Sequence, residues 1–268
     1  MLETIDLEGI EVVPPSVDSL IEFVDTGILT LASVVPAQMN AQLLDQLRAY
    51  DGDGYRFWHQ SALLRSIYRL PEVAGAVRAL VGAKPIYDHS FVHVVTAGKG
   101  EAQDWHADSV VDTRLFGFDI LCFYYPHATT AAMGATLILP GSHLRRVKNG
   151  ALSHYRNILG QRQLVCPAGT VVITHHGIWH CAQPNITSTN RYMCKARFRP
   201  GADQRGLFAE ARLADPDLVR ARFAAGRTPW TGAEGSSEHL RKAMLWRHLV
   251  GDERLDVSYE SALTRMHI

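Results

Sequence analysis

The segment Trp105-His106-Ala107-Asp108 sets an imidazole and a carboxylate two positions apart. Side chains at i and i+2 of an extended strand leave the same face, so His106 and Asp108 can hold one ion together. A third donor stands far downstream in Trp179-His180-Cys181. Two histidines and one carboxylate make a facial triad, which leaves three metal positions open and is diagnostic of non-haem Fe(II) oxygenases. H-x-D alone is a weak signal, because a chain with 13 His and 27 acidic residues produces it by chance. The residues beyond His180 sharpen it. Ten residues separate His180 from Arg191, an offset that suits a strand, a turn and a second strand. Its guanidinium can fork onto a carboxylate near the metal. A bound 2-oxoacid has that need: two of its oxygens chelate iron, and its far carboxylate requires a fixed cation.

Other segments fall into order around these. They are Met133-Gly134-Ala135-Thr136, Leu139-Pro140-Gly141-Ser142-His143, Pro184-Asn185 and Arg191-Tyr192. With Asp104–Asp108 and Ile178-Trp179-His180 they resemble the phytanoyl-CoA dioxygenase family of Fe(II)/2-oxoglutarate-dependent oxygenases, most densely from His89 to Pro200. The resemblance implies a mainly β chain with flanking helices, built on a double-stranded β-helix (a cupin-like jelly roll). It implies Fe(II) on His106, Asp108 and His180, with Arg191 anchoring the C5-carboxylate of 2-oxoglutarate. Gln103 and Thr136 resemble family positions whose side chains help hold that co-substrate. Met193 stands where the family often has Ser, so one expected hydroxyl is missing. The implied reaction converts 2-oxoglutarate and O2 to succinate and CO2 while a small molecule is oxidised. Hydroxylation is the default outcome; desaturation, epimerisation and ring closure stay open. Halogenases of the superfamily carry a small residue at the Asp108 position, so an aspartate there argues against halogenation. No basic cluster suits the phosphates of coenzyme A, so the expected substrate is a secondary metabolite or similar small molecule.

Each of these residues also has a plainer reading. His175 and His176 compete with His180 as the distal ligand; His180 is chosen for its spacing to Arg191 and for the family's Trp-His. Trp105 and Trp179 read first as packing beside buried histidines. Phe91, His93 and Phe123 could face a pocket, but strand parity does not decide it. Asn185 reads as the residue that fixes the turn ahead of Arg191. Ser142-His143 has the look of a hydrolytic pair, yet no acid is placed to complete it. Asp51-Gly52-Asp53-Gly54 lacks the glutamate that a calcium loop needs at its twelfth position, which is Ala62. Two rival functions remain: a cupin-like metal-dependent hydrolase or isomerase, which would not need Arg191, and a non-catalytic jelly-roll binding protein.

The elements that must position these groups are legible in outline. Strands are expected over Gly27–Val35, Ile86–Ala97, Asp104–Val111, Phe116–Tyr125, Thr136–Leu139, Gln163–Val165, Thr170–Thr174 and Tyr192–Phe198. Helices are expected from Pro36 to Tyr50, over Pro71–Val81 with Gly82 as its stop, and over Ser237–Val250. Residues 1–18 read as an arm or edge strand. One domain spanning 1–268 is the expectation, with the jelly-roll core at about 85–200 and helices on both flanks. Apolar residues make up 47% of the 268 and charged residues 20%, enough for a large core. Lysines plus arginines equal aspartates plus glutamates at 27 each, so neither nucleic acid nor an anionic membrane is an expected partner. Four cysteines without a C-x-x-C pair, and an acidic N-terminus, point to the cytoplasm. A homodimer is left open.

Overall fold

Ser16 begins the first helix, α1 (Val17–Thr26), by accepting a hydrogen bond from Ser19 N at 3.1 Å. Gly27 closes it in the left-handed region (φ 77°) and turns the chain straight into β1 (Ile28–Leu31). The helix α2 (Ala37–Ala49) follows Pro36, and three more succeed it: α3 (Phe57–Gln60), α4 (Ala62–Ile67) and α5 (Pro71–Val81). The strands β2 (Ile86–Val95), β3 (Ile120–Tyr125) and β4 (Leu137–Leu139) come next. After α6 (Asn149–Leu152) the chain forms β5 (Arg162–Gln163), β6 (Thr170–His175), β7 (Trp179–Cys181) and β8 (Arg191–Arg199). The last helices are α7 (Pro216–Ala225) and α8 (Ala233–Val250). This computed structural model describes residues 3–109, 114–145, 149–225 and 233–255, leaving aside the side chains at 149, 233, 234 and 236.

Five strands form the larger sheet in the order β1-β6-β3-β8-β2, and three form the smaller in the order β5-β4-β7. Every neighbouring pair is antiparallel. Beyond β7 the chain at His106 adds one rung, with His106 N donating to His180 O at 3.1 Å and His180 N to His106 O at 2.9 Å. Two such sheets packed face to face make the double-stranded β-helix.

Alternation along the strands sorts side chains into three buried layers. The helices cover the outer face of the larger sheet, where Trp58, Tyr68, Ile120, Cys122, Tyr124, Ile173 and Phe198 are buried together. Between the sheets lie Ile28, Leu121, Phe123, Tyr125, Ile138, Val172 and Met193. Behind the smaller sheet lie Trp105, Leu137, Leu139, Leu152, Trp179 and Cys181. All six residues of β3 are buried, as its unbroken apolar run requires of a central strand covered on both sides.

Several expectations need correction. The barrel core does not begin at about 85, because β1 pairs with β6 and forms the far edge of the larger sheet. That strand is four residues long rather than Gly27–Val35, since the chain turns at Ala32 and Ser33, the latter with φ 54°. Asp104–Val111 is not a strand: only His106 forms a bridge and the chain bends at Asp108, while 110 and 111 lie outside the described residues. In the N-terminal arm, Thr4 does bridge to Ile86, but α1 was not expected at all. α3, α4 and α6 were likewise unexpected, while α7 falls within the helical flank expected after the core. Among the described residues no helix is long and apolar enough to cross a membrane.

Candidate metal centre

Trp105 and Ala107 face the cluster behind the smaller sheet, so His106 and Asp108 turn the other way, toward the larger sheet. β7 repeats the pattern: Trp179 and Cys181 pack outward and His180 points in. One donor atom from each of His106, Asp108 and His180 lies within 4.8 Å of the others. Among the described residues no other set of three histidine, cysteine or acidic side chains converges in this way. His175 and His176 are elsewhere: His175 stacks on Phe118 at 4.6 Å and lies 5.2 Å from the His143 ring. Trp105 and Trp179 are packing residues, with Trp105 Nε1 donating to Arg156 O at 3.1 Å. Ser142 is committed to structure, donating to Leu139 O at 2.7 Å and accepting from Trp179 N at 2.8 Å.

The two imidazoles are oriented alike. His106 Nδ1 lies 2.9 Å from Asp104 O and His180 Nδ1 lies 3.2 Å from Ile178 O. A carbonyl only accepts, so each Nδ1 carries the proton and each neutral ring offers its Nε2 lone pair. Burial lowers His180 to about 4, against the pull of Asp108, and keeps it neutral at physiological pH. Burial alone would raise the Asp108 carboxyl, but His180 and Lys195 outweigh it and hold the group well below the usual carboxylate range. A deprotonated carboxylate beside two neutral imidazoles is the state a divalent ion needs. The donor set therefore fits iron.

The remaining inward positions come from β8, where Arg191, Met193, Lys195 and Arg197 alternate with the helix-facing Cys194, Ala196 and Phe198. Arg191 is 1% exposed. Its Nη1 donates to Thr136 Oγ1 at 3.1 Å, and its buried Nε has no hydrogen-bond partner among the described residues. No carboxylate pairs with it among the described residues, and burial lowers its pKa. A buried guanidinium with spare donors and a neighbouring hydroxyl fits the far carboxylate of 2-oxoglutarate. Thr136 is thus brought to Arg191. Gln103 is exposed; its Oε1 accepts from Ala182 N at 3.3 Å and its backbone N donates to Ala182 O at 2.9 Å, so it extends the pairing beside β7. Asn185 braces the turn before Arg191, its Nδ2 donating to Val95 O at 3.0 Å and Thr189 O at 2.8 Å.

Two residues, Lys195 and Arg197, were not singled out by the sequence, and His93 was left without a face. Lys195 Nζ donates to Asp108 Oδ2 at 2.7 Å. Arg197 holds the buried Asp119 through Nε and Nη2 at 2.8 and 2.6 Å and reaches Asp108 O with Nη1 at 3.3 Å. The signal was present, because both share the parity of Arg191. His93 lies opposite Met193 on β2, and burial, with Lys195, His180 and Arg191 nearby, lowers it to about 3. Its face could not be read because a bulge at Asp88 shifts the register of β2. Phe123 also faces inward, its ring 5.5 Å from that of His180.

This fold and donor set are those of the double-stranded β-helix non-haem oxygenases. The chain belongs to the phytanoyl-CoA dioxygenase (PhyH) family, whose model matches residues 48–193. It is accordingly an enzyme of the Fe(II)/2-oxoglutarate-dependent class, with iron and 2-oxoglutarate as cofactor and co-substrate. No curated protein matches it in sequence. Solved structures share the fold at low identity. The non-haem α-ketoglutarate-dependent carbocyclase SnoK from nogalamycin biosynthesis is 17% identical with a TM-score of 0.57, over 69% of this chain and 84% of that one. HygX from Streptomyces hygroscopicus, solved with nickel and 2-oxoglutarate, is 14% identical with a TM-score of 0.60, over 70% and 87%. EvdO2 from Micromonospora carbonacea var. aurantiaca, solved with 2-oxoglutarate, is 17% identical with a TM-score of 0.55, over 72% and 94%.

Proposed function

We propose that His106, Asp108 and His180 hold Fe(II), that Arg191 with Thr136 anchors 2-oxoglutarate, and that the enzyme, one catalytic domain, hydroxylates a small molecule of secondary metabolism. The observation that carries this reading is the shared interior: three metal donors within 4.8 Å on the smaller-sheet side, and across from them, on β8 of the larger sheet, a buried cation with no carboxylate partner among the described residues. Iron and 2-oxoglutarate together supply activated O2, with succinate and CO2 as the other products. The chain supplies position. The carbonyls of Asp104 and Ile178 fix the ring tautomers, Arg191 and Thr136 fix the co-substrate's far end, and Phe123 and Met193 keep water from the inner wall. The solved relatives include a carbocyclase and an epimerase, so the outcome follows from how the substrate is presented rather than from the donor set. That both belong to nogalamycin biosynthesis supports a secondary metabolite as substrate.

The test is an anaerobic titration of metal-free protein with Fe(II) and then 2-oxoglutarate, following the weak visible charge-transfer band of a chelated 2-oxoacid. The band should appear with wild type and be absent in His180→Ala. Iron uptake without a band would overturn the oxygenase assignment in favour of a metal hydrolase or isomerase. Absence of iron uptake would favour a binding protein.

A further inference from the structure

Asp108 is gripped from two sides by consecutive inward residues of β8. Arg197 Nη1 reaches its backbone carbonyl at 3.3 Å, while the rest of that guanidinium is spent on Asp119. Lys195 Nζ sits on Oδ2 at 2.7 Å, with the lysine side chain 10% and the aspartate 15% exposed. The other oxygen, Oδ1, is the one turned toward His106 Nε2, 3.9 Å away. One carboxylate oxygen is therefore occupied by a buried cation and one faces the donor cluster.

The distinction matters because coordination positions are few. A facial triad contributing one atom per residue leaves three positions open. A 2-oxoacid chelates through two oxygens, and O2 needs the third. An aspartate can also bind a metal through both oxygens, which would take one of those three. Building on the iron-site assignment above, we infer that Lys195 is a positioning residue that restricts Asp108 to ligation through Oδ1 and so keeps open the position that the co-substrate and O2 require. Its charge has a second effect. Two cations compete for one carboxylate, so the site binds iron less tightly than its donor set would allow.

The experiment measures Fe(II) affinity of the metal-free protein and 2-oxoglutarate affinity of the Fe(II) form, both anaerobically, with a thermal melt of each variant as the folding control. Lys195→Met removes charge and hydrogen bond together at similar length. It should bind Fe(II) about tenfold more tightly or better, and 2-oxoglutarate about tenfold more weakly or worse. Lys195→Gln keeps a donor on Oδ2 without the charge. It should bind Fe(II) more tightly while its 2-oxoglutarate affinity stays near that of wild type. A purely structural lysine predicts the opposite sign for iron, since loosening Asp108 would weaken the metal. A folded Lys195→Met protein with both affinities unchanged, or with weaker iron binding, overturns the inference. If that variant does not fold, unchanged or weaker iron binding in Lys195→Gln does the same. Wild-type protein that takes up no Fe(II) would overturn the iron site itself, a result distinct from any difference between variants.

Discussion

Replacing Arg191 with methionine should make the metal-free protein more stable and disable it. The guanidinium is 1% exposed, and among the described residues its Nε lacks a partner and its one direct bond is Nη1 to Thr136 Oγ1 at 3.1 Å. Burying a charge costs several kcal/mol even after relaxation, unless an opposite charge repays it, and among the described residues Arg191 pairs with no carboxylate. Taking about 3 kcal/mol for that cost, and about 1 kcal/mol for the lost bond to Thr136, the net gain in Arg191→Met is about 2 kcal/mol. At about 2–4 °C per kcal/mol for a chain of this size, the melting temperature rises by about 4–8 °C. The loss appears in co-substrate binding. Two charge-assisted hydrogen bonds, each about 1.5–3 kcal/mol, correspond to about a hundred- to ten-thousandfold weaker 2-oxoglutarate affinity. Differential scanning fluorimetry of the metal-free protein and anaerobic titration of the Fe(II) form read the two effects separately. A melting temperature that falls, together with 2-oxoglutarate affinity within about threefold of wild type, would refute the reasoning that this arginine is held ready for an anion.

Acid should destabilise the metal-free protein well above the carboxylate range. Burial holds His93 and His143 at about 3, below the unfolded value near 6.5, so the unfolded chain binds more protons. Stability is then complete above about pH 6.5 and falls as pH drops toward 3, by about 1.4 kcal/mol per pH unit for each histidine; a melting temperature that stays flat from pH 7 to 5 contradicts this. Asn185→Ala removes the bonds to Val95 O and Thr189 O and should cost about 1–3 kcal/mol. It should also weaken 2-oxoglutarate more than Fe(II), because it loosens the turn leading to Arg191 and not the rung carrying His106 and His180; equal losses in the two titrations would point to general unfolding instead.

The candidate site was legible because its logic is local parity. His106 and Asp108 two apart, and His180 between Trp179 and Cys181, need only alternation to face one way, and alternation survives even where the expected strand at Asp104–Val111 shrinks to a single rung at His106. What alternation could not reach was anything dependent on a register shift or on a distant partner. The bulge at Asp88 reverses the parity of β2, so Tyr87 packs among the helices while His93 belongs to the barrel interior. The helix α1 did have signals, a serine cap and a closing glycine, but its run Val17–Thr26 is short and mixed with acids. β1 could be read as a strand, yet nothing local says that Ile28–Leu31 pairs with Val171–Thr174. That contact decides where the barrel core begins.

The inward face of β8 gathers Arg191, Lys195 and Arg197 on one strand, an arrangement that self-repulsion and desolvation both oppose. Two of the three are answered within the chain. Arg197 takes Asp119, itself buried to 1% exposure, at 2.6 Å, and Lys195 takes Asp108 at 2.7 Å. Neither can serve as the anchor for a dicarboxylate without abandoning an acid that would then be buried alone. Among the described residues Arg191 carries no such obligation: it pairs with no acid, and the hydroxyl of Thr136, the Tyr125 phenol and the Cys166 thiol beside it are neutral. The unanswered charge thus lies on the residue whose spacing from His180 singled it out in the sequence. A carboxylate arriving from outside the chain would complete the pairing, which is why the anion site is proposed there and not four or six residues further along the same strand.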